Sequence, residues 1–316
     1  MLFDKNYKNF IVKELIDLDK ENGPYLYVKL IKKDWNTIDA VNEIAKRLRI
    51  EHQKIGFAGL KDRNALTEQY ISIYKINKEE IKRLKIKDIE LEPLHYGSKP
   101  IRLGDLKGNY FKITLDTKPI KINQIENYFG EQRFSKNNYE IGLSILRKDF
   151  PRAVSLLDNN QVNQYLSENK TDYVGALKKI DKRLFSLLVD SVRSKLWNEV
   201  VKEFLKSQKG YVEFEDLIFL KKKIKNKKIP LFSYGVDFQD KKIEEIYKKI
   251  LGRYNLKDED FLIRTFPEII PTEGERDLVI DVKKFKISKN TMEFMLPKGS
   301  YATILIKKVE SFLSIK

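Results

Sequence analysis

The first strongly patterned segment of the chain is residues 24–33. Apolar side chains occupy every second position there, at Leu26, Val28 and Leu30, which is the period of a strand that buries one face. Residues 9–16 have a similar texture, and the stretch between the two segments, DKENGP, has the composition of a turn. The chain is therefore expected to begin with two strands.

A helical pattern follows at residues 36–50. It opens with Asn36 and Thr37, which are good N-cap residues, and it continues with apolar residues at helical spacing. Those apolar residues are Ile38, Val41, Ile44, Ala45 and Leu48. This spacing predicts a helix with one apolar face.

The remaining patterns predict a mixture of strands and helices. They are a strand into a loop at 54–60, a strand at 68–76, two short strands joined through Gly104 and Gly108 in 100–115, a short helix in 121–134 ending near Gly130, a long helix at 184–205, a lysine-rich loop or edge at 219–232, and a strand in 294–309. Lys107 and the residues after it could form a phosphate-binding turn or a plain hairpin turn.

The texture of the sequence changes near residue 148, where helix and loop alternate until about residue 262. Strand character returns near the C-terminus. This order predicts one domain built from both ends of the chain, residues 1–149 and 265–316. A second domain, residues 150–264, is predicted as an insertion.

The chain of 316 residues carries a formal net charge of +16. Such a charge attracts polyanions, of which nucleic acid is the commonest, and this interpretation is favoured over the alternative of a solvated lysine-rich surface. The 18 Phe and 16 Tyr favour nucleic acid slightly, because bases stack on aromatic rings.

Cysteine is absent, and His52 and His95 are the two histidines of the sequence. This composition excludes disulfides, zinc–thiolate sites, cysteine nucleophiles and histidine-rich metal sites. Carboxylates, lysines, arginines and hydroxyls remain as the catalytic groups. No signal-like or membrane-spanning apolar run is present, so a soluble, cytoplasmic protein is expected.

One segment, GFAGLKDRNALTEQ at residues 56–69, concentrates unusual residue types between two predicted strands. Its Asp62 stands between Lys61 and Arg63 on a loop that a sheet would hold rigidly. From the residues alone, Asp62 could be a turn residue, a nucleophile or a metal ligand, although no second acidic cluster lies near it.

The same segment resembles the signature of the TruD family of tRNA pseudouridine synthases, roughly aGxKDxxAxTxQ. The matching positions are Gly59, Lys61, Asp62, Ala65, Thr67 and Gln69. Other segments are similar to family motifs in the same order: NFIVKEL, LYVKLIKKDWNT, RLGDLKGNYF, NYFGEQRF and LPKGSYATILIKK. These matches span both ends of the chain.

Two departures from the family pattern stand out. Ser135 replaces a usual Gly, and Asn9 replaces an Asp near the family's N-terminal lysine. That lysine is thought to pair with the catalytic Asp. Lys5 is the candidate for it here, and Lys8 is the rival.

The resemblance implies an α+β fold, namely the pseudouridine synthase fold with a mixed, mostly antiparallel sheet, flanking helices and an inserted α/β domain. It implies that Asp62 is the catalytic carboxylate, that Phe129 stacks on the flipped uracil, and that Asn127 holds the loop or touches the target nucleotide. The plausible phosphate contacts are Lys5, Lys61, Arg63, Arg102, Lys107 and Arg133.

The implied activity is isomerisation of a uridine in tRNA, at the family-typical position 13, without metal or other cofactor. A monomer with no membrane partner is expected. The alternative is a non-catalytic RNA-binding protein or RNA chaperone on the same scaffold. A metal-dependent nuclease is a weaker alternative, because clustered carboxylates are missing.

Overall fold

The structure is a computed structural model that describes residues 8–115, 118, 120–134 and 137–314. Within these residues the strands are β1 (Phe10–Leu15), β2 (Tyr25–Lys33), β3 (Ile55–Phe57), β4 (Leu66–Tyr74), β5 (Ile89–Gly97), β6 (Gly108–Thr114), β7 (Gln124–Glu126), β8 (Tyr211–Phe214), β9 (Leu217–Leu220), β10 (Lys228–Pro230), β11 (Glu275–Asp277), β12 (Val279–Asp281), β13 (Lys283–Ser288) and β14 (Thr291–Pro297).

The α-helices of the same residues are α1 (Thr37–Leu48), α2 (Lys78–Arg83), α3 (Asn138–Leu146), α4 (Phe150–Ser155), α5 (Asn160–Glu168), α6 (Tyr173–Leu177), α7 (Lys182–Lys206), α8 (Lys241–Arg253) and α9 (Ala302–Leu313). Short 3-10 turns lie at His52–Lys54, Glu131–Phe134, Asp258–Phe261 and Pro267–Ile269. The chain divides into two compact units. The first is Met1–Ile125 with Asp281–Lys316, and the second is Glu126–Ile280.

The first unit is built on a large mixed sheet. Its strand order is β13-β14-β6-β1-β4-β2-β5, and β3 pairs with β4 beside this path. The pair β1·β4 is parallel, and the other neighbours in the sheet are antiparallel. This is the predicted α+β class with a mostly antiparallel sheet, so the prediction of the fold class is confirmed.

Strand β2 lies near the centre of this unit's core. Leu26, Val28 and Leu30 are all fully buried, as their alternation predicts, and they pack in one cluster with residues of α1. Burying a side chain of this size contributes about 1.5–3 kcal/mol each. Helix α1 is therefore held on the sheet by its apolar face.

The start of α1 follows its sequence signal. Asn36 has extended backbone angles, and its side chain accepts a hydrogen bond of 2.8 Å from the amide of Asp39. This satisfies one of the amides that a helix start leaves without an internal partner. The predicted helix over 36–50 is thereby confirmed as α1.

The second unit is organised around α7. This helix runs from Lys182 to Lys206 and buries side chains on more than one side, including Leu188, Val192 and Trp197. Helices α3 and α8 and strand β9 pack against it. The predicted helix at 184–205 is confirmed, and its burial on several sides explains why so many of its positions are apolar.

Small antiparallel pairs complete the second unit. Strands β8 and β9 form a hairpin through Glu215 and Asp216, which both have positive φ, as a two-residue hairpin turn requires. Strand β10 pairs with β11. The lysine-rich segment predicted as a loop or edge thus contains β9, a connection and β10.

The unit boundaries lie outside the predicted insertion of 150–264. Helix α3 belongs with the second unit because it packs closely on α7, where a Cβ at Gly142 would lie 2.1 Å from the carbonyl oxygen of Leu188. Residue 272 also belongs there, since its carbonyl accepts a 2.7 Å hydrogen bond from the buried Arg193. Which unit carries catalysis stays a prediction.

Three local predictions are wrong. Residues 121–134 form β7 and a 3-10 turn, not a helix. The chain there pairs with a distant segment, and the amide of Asn127 donates to the carbonyl of Leu278 at 2.9 Å.

The second wrong prediction concerns residues 100–115, for which two short strands were expected. This segment contains the single strand β6. The loop before it turns through Gly104 at φ +94, where Arg102 N donates to Asp105 Oδ2.

The third wrong prediction concerns the C-terminal strand of 294–309. Strand β14 ends at Pro297, Gly299 turns with φ +78, and α9 begins at Ala302. A short apolar run such as TILI fits a buried strand and a buried helix equally well, so periodicity could not decide. Among the described residues, no helix is long and apolar enough to cross a membrane.

Candidate active site

The loop that carries Asp62 lies between β3 and β4, as predicted. Strands β3 and β4 pair with each other. Ala58 and Ala65, at the two ends of the loop, are buried. A Cβ at Gly56 would lie 2.2 Å from the carbonyl oxygen of Ile101, so only glycine allows this close backbone approach. Asp62 itself is half-buried. The sheet thus holds a partly shielded carboxylate on a fixed loop.

The side chain of Lys61 turns inward. Its Nζ forms an ion pair with Glu14 of β1, and both side chains are almost fully buried. Glu14 also accepts from the amide of Tyr70, and the amide of Lys61 donates to Thr37 Oγ1 at 2.9 Å. The prediction that Lys61 contacts phosphate does not fit this geometry, because its ammonium is already buried against a carboxylate.

A second lysine beneath the loop was not singled out in the sequence. Lys32 is 0% exposed, and its Nζ donates to the carbonyl oxygens of Trp35 at 2.5 Å and of Asp62 at 3.1 Å. Burial lowers the pKa of Lys32 to about 8; the charge of Asp62 opposes this shift and that of Lys61 adds to it. A buried cation therefore contacts the peptide of Asp62.

Three other predicted cations lie at the surface of the first unit. Arg63 is exposed and its Nε donates to the carbonyl of Asp34 at 3.1 Å, while Arg102 is exposed on the loop before β6. Lys107 is exposed and forms an ion pair with Asp17. The amide of Lys107 donates to the carbonyl of Leu15, so the backbone N–H of residue 107 is not available for a phosphate. Exposed side chains of this kind can still meet a phosphate.

Of the two candidates for the N-terminal lysine, Lys5 lies outside the described residues. Lys8 is described and exposed. Which of the two pairs with Asp62 stays a prediction.

In the second unit, Asn127 and Arg276 form a tight pair beside Phe129. Arg276 donates from Nε to the carbonyl oxygen of Asn127 and from Nη2 to its Oδ1, both at 2.7 Å. The amide nitrogen of the Asn127 side chain donates to the carbonyl of Asp277 at 3.1 Å. These contacts favour the interpretation that Asn127 holds the loop.

The ring of Phe129 is half-buried and has an arginine over it. The guanidinium carbon of Arg276 lies 4.0 Å from the ring centroid, which is cation–π geometry. Trp197 meets the ring edge-to-face at 5.7 Å. Asn198 fixes the backbone, because its Oδ1 accepts from the amide of Phe129 and its Nδ2 donates to the carbonyl of Phe129, both at 2.9 Å. We refer to Asn127, Phe129 and Arg276 as the Phe129 platform.

Arg133 is tied to α7. Its Nη2 lies 3.3 Å from Asp190 Oδ2, and its Nε donates to Ser194 Oγ at 3.2 Å. Its guanidinium carbon is 5.8 Å from the centroid of the Phe129 ring. The predicted phosphate contact of Arg133 would therefore share its charge with Asp190.

Comparison with known proteins agrees with the motif analysis. The family model for tRNA pseudouridine synthase D (TruD) matches residues 3–164 and 220–309. The chain belongs to the TruD family. The resemblance inferred from these ordered motifs is thereby confirmed.

Relatives that match over most of their own length support this membership. The tRNA pseudouridine synthase D of Aquifex aeolicus is 29% identical, with 96% of each chain covered. The "Probable tRNA pseudouridine synthase D 2" of Methanocaldococcus jannaschii is 32% identical over 98% of this chain and 91% of its own length. A TruD crystal structure from Methanosarcina mazei has a TM-score of 0.67 and 24% identity, covers 95% of this chain and 91% of its own, and shows that the fold is shared.

Two well-placed residues of this TruD protein were missed in the sequence. Lys32 continues the buried alternation of Leu26, Val28 and Leu30, so a charge at a position predicted to be buried was the available signal. Arg276 gave no comparable signal, because its partners lie almost 150 residues away along the chain. Among the described residues, no group of three or more His, Asp or Glu side chains is placed to hold a metal ion.

Proposed function

We propose that this chain converts a uridine of tRNA into pseudouridine, with the carboxylate of Asp62 as the reactive group. As a TruD protein the chain is a tRNA pseudouridine synthase, which is an isomerase. The observation that carries the role of Asp62 is its place on a rigid loop, half-buried, with the buried Lys32 bonded to its peptide. No finding favours the non-catalytic alternative.

The reaction is balanced without any co-reactant. The bond between N1 of the uracil and C1′ of the ribose breaks, the base rotates, and a bond forms between C5 and C1′. C5 loses a proton and N1 gains one, so no electrons are added or removed. Asp62 either adds to the base or the sugar or assists formation of a glycal, and partial exclusion of water makes its carboxylate a better nucleophile.

Phe129 is proposed to stack on the uracil once the nucleotide has left its own stack. Flipping costs a few kcal/mol, and stacking on an aromatic ring recovers about 1–3 kcal/mol. The ring carries no hydroxyl, so Phe129 cannot take the C5 proton. Asn127 then acts through the loop, since its side-chain oxygen and nitrogen are both bonded within the second unit.

Exposed cations are proposed to contact the tRNA backbone. Arg63, Arg102 and Lys107 are exposed and fit this role. Arg133 fits it in part, because it also pairs with Asp190. For Lys5 the role is a prediction from the family resemblance. Such contacts set affinity and its salt dependence, while the shape of the folded RNA selects the site. Position 13 of tRNA is proposed as the target. Because tRNA is the substrate, a cytoplasmic location is proposed, together with a monomeric enzyme.

The test is to map pseudouridine in tRNA transcripts incubated with the wild type and with Asp62→Asn, in the presence of a chelator. The expected result is a single new pseudouridine, at position 13, from the wild type alone. Modification at another position would correct the target but not the activity. Binding without modification would support the RNA chaperone, and strand scission that needs added Mg²⁺ would support the nuclease.

A further inference from the structure

The sheet face under α1 changes from apolar to polar at its end nearest the Asp62 loop. In the antiparallel register of β2 and β4, Leu26 lies opposite Ile73 and Val28 lies opposite Ile71. The next two rows pair Leu30 with Gln69 and then Lys32 with Thr67. All of these side chains, apolar and polar, are fully buried.

This polar end is directly connected to the loop. The hydroxyl of Thr37 at the start of α1 donates to Gln69 Oε1 at 3.0 Å and accepts from the amide of Lys61. Gln69 Nε2 donates to the carbonyl of Gly59 at 3.4 Å. Lys32 bonds to the carbonyl of Asp62. Buried polar groups thus bond to three successive parts of the loop.

Among the buried polar groups at this end of the sheet face, Lys32 has the largest desolvation cost. A buried ammonium loses its hydration, and apolar packing at such a position is often as stable or more stable. Its two hydrogen bonds go to backbone carbonyls, one in the turn after β2 and one in the residue proposed to be catalytic. The desolvated charge of Lys32 therefore lies where its ammonium can fix the peptide of Asp62.

We infer that Lys32 is a positioning residue for the reaction: its buried ammonium joins the turn at Trp35 to the peptide of Asp62 and so holds the Asp62 carboxylate in its reactive position. A lysine suits this task because one nitrogen offers three N–H donors that can reach two converging carbonyls. A side chain of the same length without a donor would leave both carbonyls unpaired. The inference rests on the proposed function of Asp62.

The first test compares Lys32→Met with Lys29→Met by following tritium release from C5-labelled uridine in tRNA. Lys29 lies on the same strand and forms a partly exposed ion pair with Glu92, so its variant controls for loss of a lysine from β2. We expect Lys32→Met to lower kcat by about 100-fold with KM within about threefold, because an error of about 1 Å in a reacting group has this effect. Lys29→Met should leave both constants near the wild-type values.

An equal kcat for Lys32→Met and Lys29→Met would overturn the inference, and so would a change confined to KM. If the wild type itself released no tritium, the proposed function would fail instead. An active wild type, an inactive Asp62→Asn and a normal Lys32→Met would reject this inference alone. The outcomes are therefore separable.

A second experiment tests the inference if the Lys32→Met variant does not fold. The sequence contains no cysteine, so Lys32→Cys introduces a unique thiol that can be alkylated in denaturant before refolding. Aminoethylation rebuilds a lysine-like side chain, and propylation gives the same length without the amine. We expect the aminoethyl form to regain at least about tenfold more kcat than the propyl form. Equal activity of the two forms, or an aminoethyl form that regains none, would overturn the inference.

Discussion

The loop that carries Asp62 and the platform that carries Phe129 are stabilised in different ways. Beneath the loop, full charges are buried: Lys32 bonds to two carbonyls, and Lys61 pairs with Glu14. Around Phe129 the support comes from amide hydrogen bonds and a half-exposed guanidinium. Buried charges are costly to leave unpaired, whereas the contacts of the platform are individually modest. We expect the carboxylate to be fixed more rigidly than the ring on which the base is proposed to stack.

The largest effect on stability should follow from breaking the buried ion pair. Glu14→Gln leaves the Lys61 ammonium without its carboxylate, so we expect a loss of about 3–5 kcal/mol in the free energy of unfolding. The matched control is Glu92→Gln, which breaks the partly exposed pair with Lys29 and should cost about 0–1 kcal/mol. Guanidinium denaturation measures the free energy of unfolding of both variants. Equal losses would show that burial of the ion pair does not determine its contribution to stability.

Loss of the Phe129 ring, on which the uracil is proposed to stack, should have the next largest effect, this time on activity. Phe129→Leu keeps an apolar side chain but removes the aromatic face, so kcat/KM should fall by about 5- to 150-fold, equivalent to about 1–3 kcal/mol. Phe129→Tyr keeps the face and is the control. A leucine variant as active as the tyrosine variant would contradict the stacking role.

The arginine of the platform should matter less than the ring. In Arg276→Lys the charge remains but the two-pronged hydrogen bond to Asn127 is lost, and a cation–π contact of this kind contributes about 0.5–2 kcal/mol. We expect kcat/KM for tRNA to fall by about 2- to 30-fold. Full activity of Arg276→Lys together with reduced activity of Arg276→Met would mean that the charge suffices without the geometry.

A further effect on stability is its dependence on pH. Burial lowers the pKa of Lys32 from 10.5 to about 8. Between these two values the unfolded chain holds a proton that the folded chain has lost, so raising the pH favours the folded wild type. Relative to Lys32→Met, the wild type should therefore become more stable from pH 8 to pH 10.5. A constant difference between the two denaturation curves across this range would contradict the buried, titrating lysine.

Regular periodicity made much of the fold predictable. The alternation in β2, the capped apolar stripe of α1 and the long apolar pattern of α7 each appear in the structure near their predicted bounds. The failures were segments whose structure depends on distant partners. Residues 124–126 form a strand and residues 302–313 form a helix, although neither short apolar pattern separates the two states.

The candidate site was predictable where a motif identified it. Asp62 lies on a loop between two strands, as the sequence indicated, and Asn127 and Phe129 lie close together in the second unit. The partners of these residues were not predictable from local pattern. Lys61 stands next to Asp62 in sequence, yet its ammonium pairs with Glu14 of β1, a partner 47 residues away that no local pattern indicates.

The role of Asp62 is tested most directly by tritium release from C5-labelled uridine in a tRNA transcript. The wild type should release tritium at a steady rate, and Asp62→Asn should release none while its affinity for the same tRNA stays within a few fold. Turnover by Asp62→Asn close to that of the wild type would show that another group carries out the reaction.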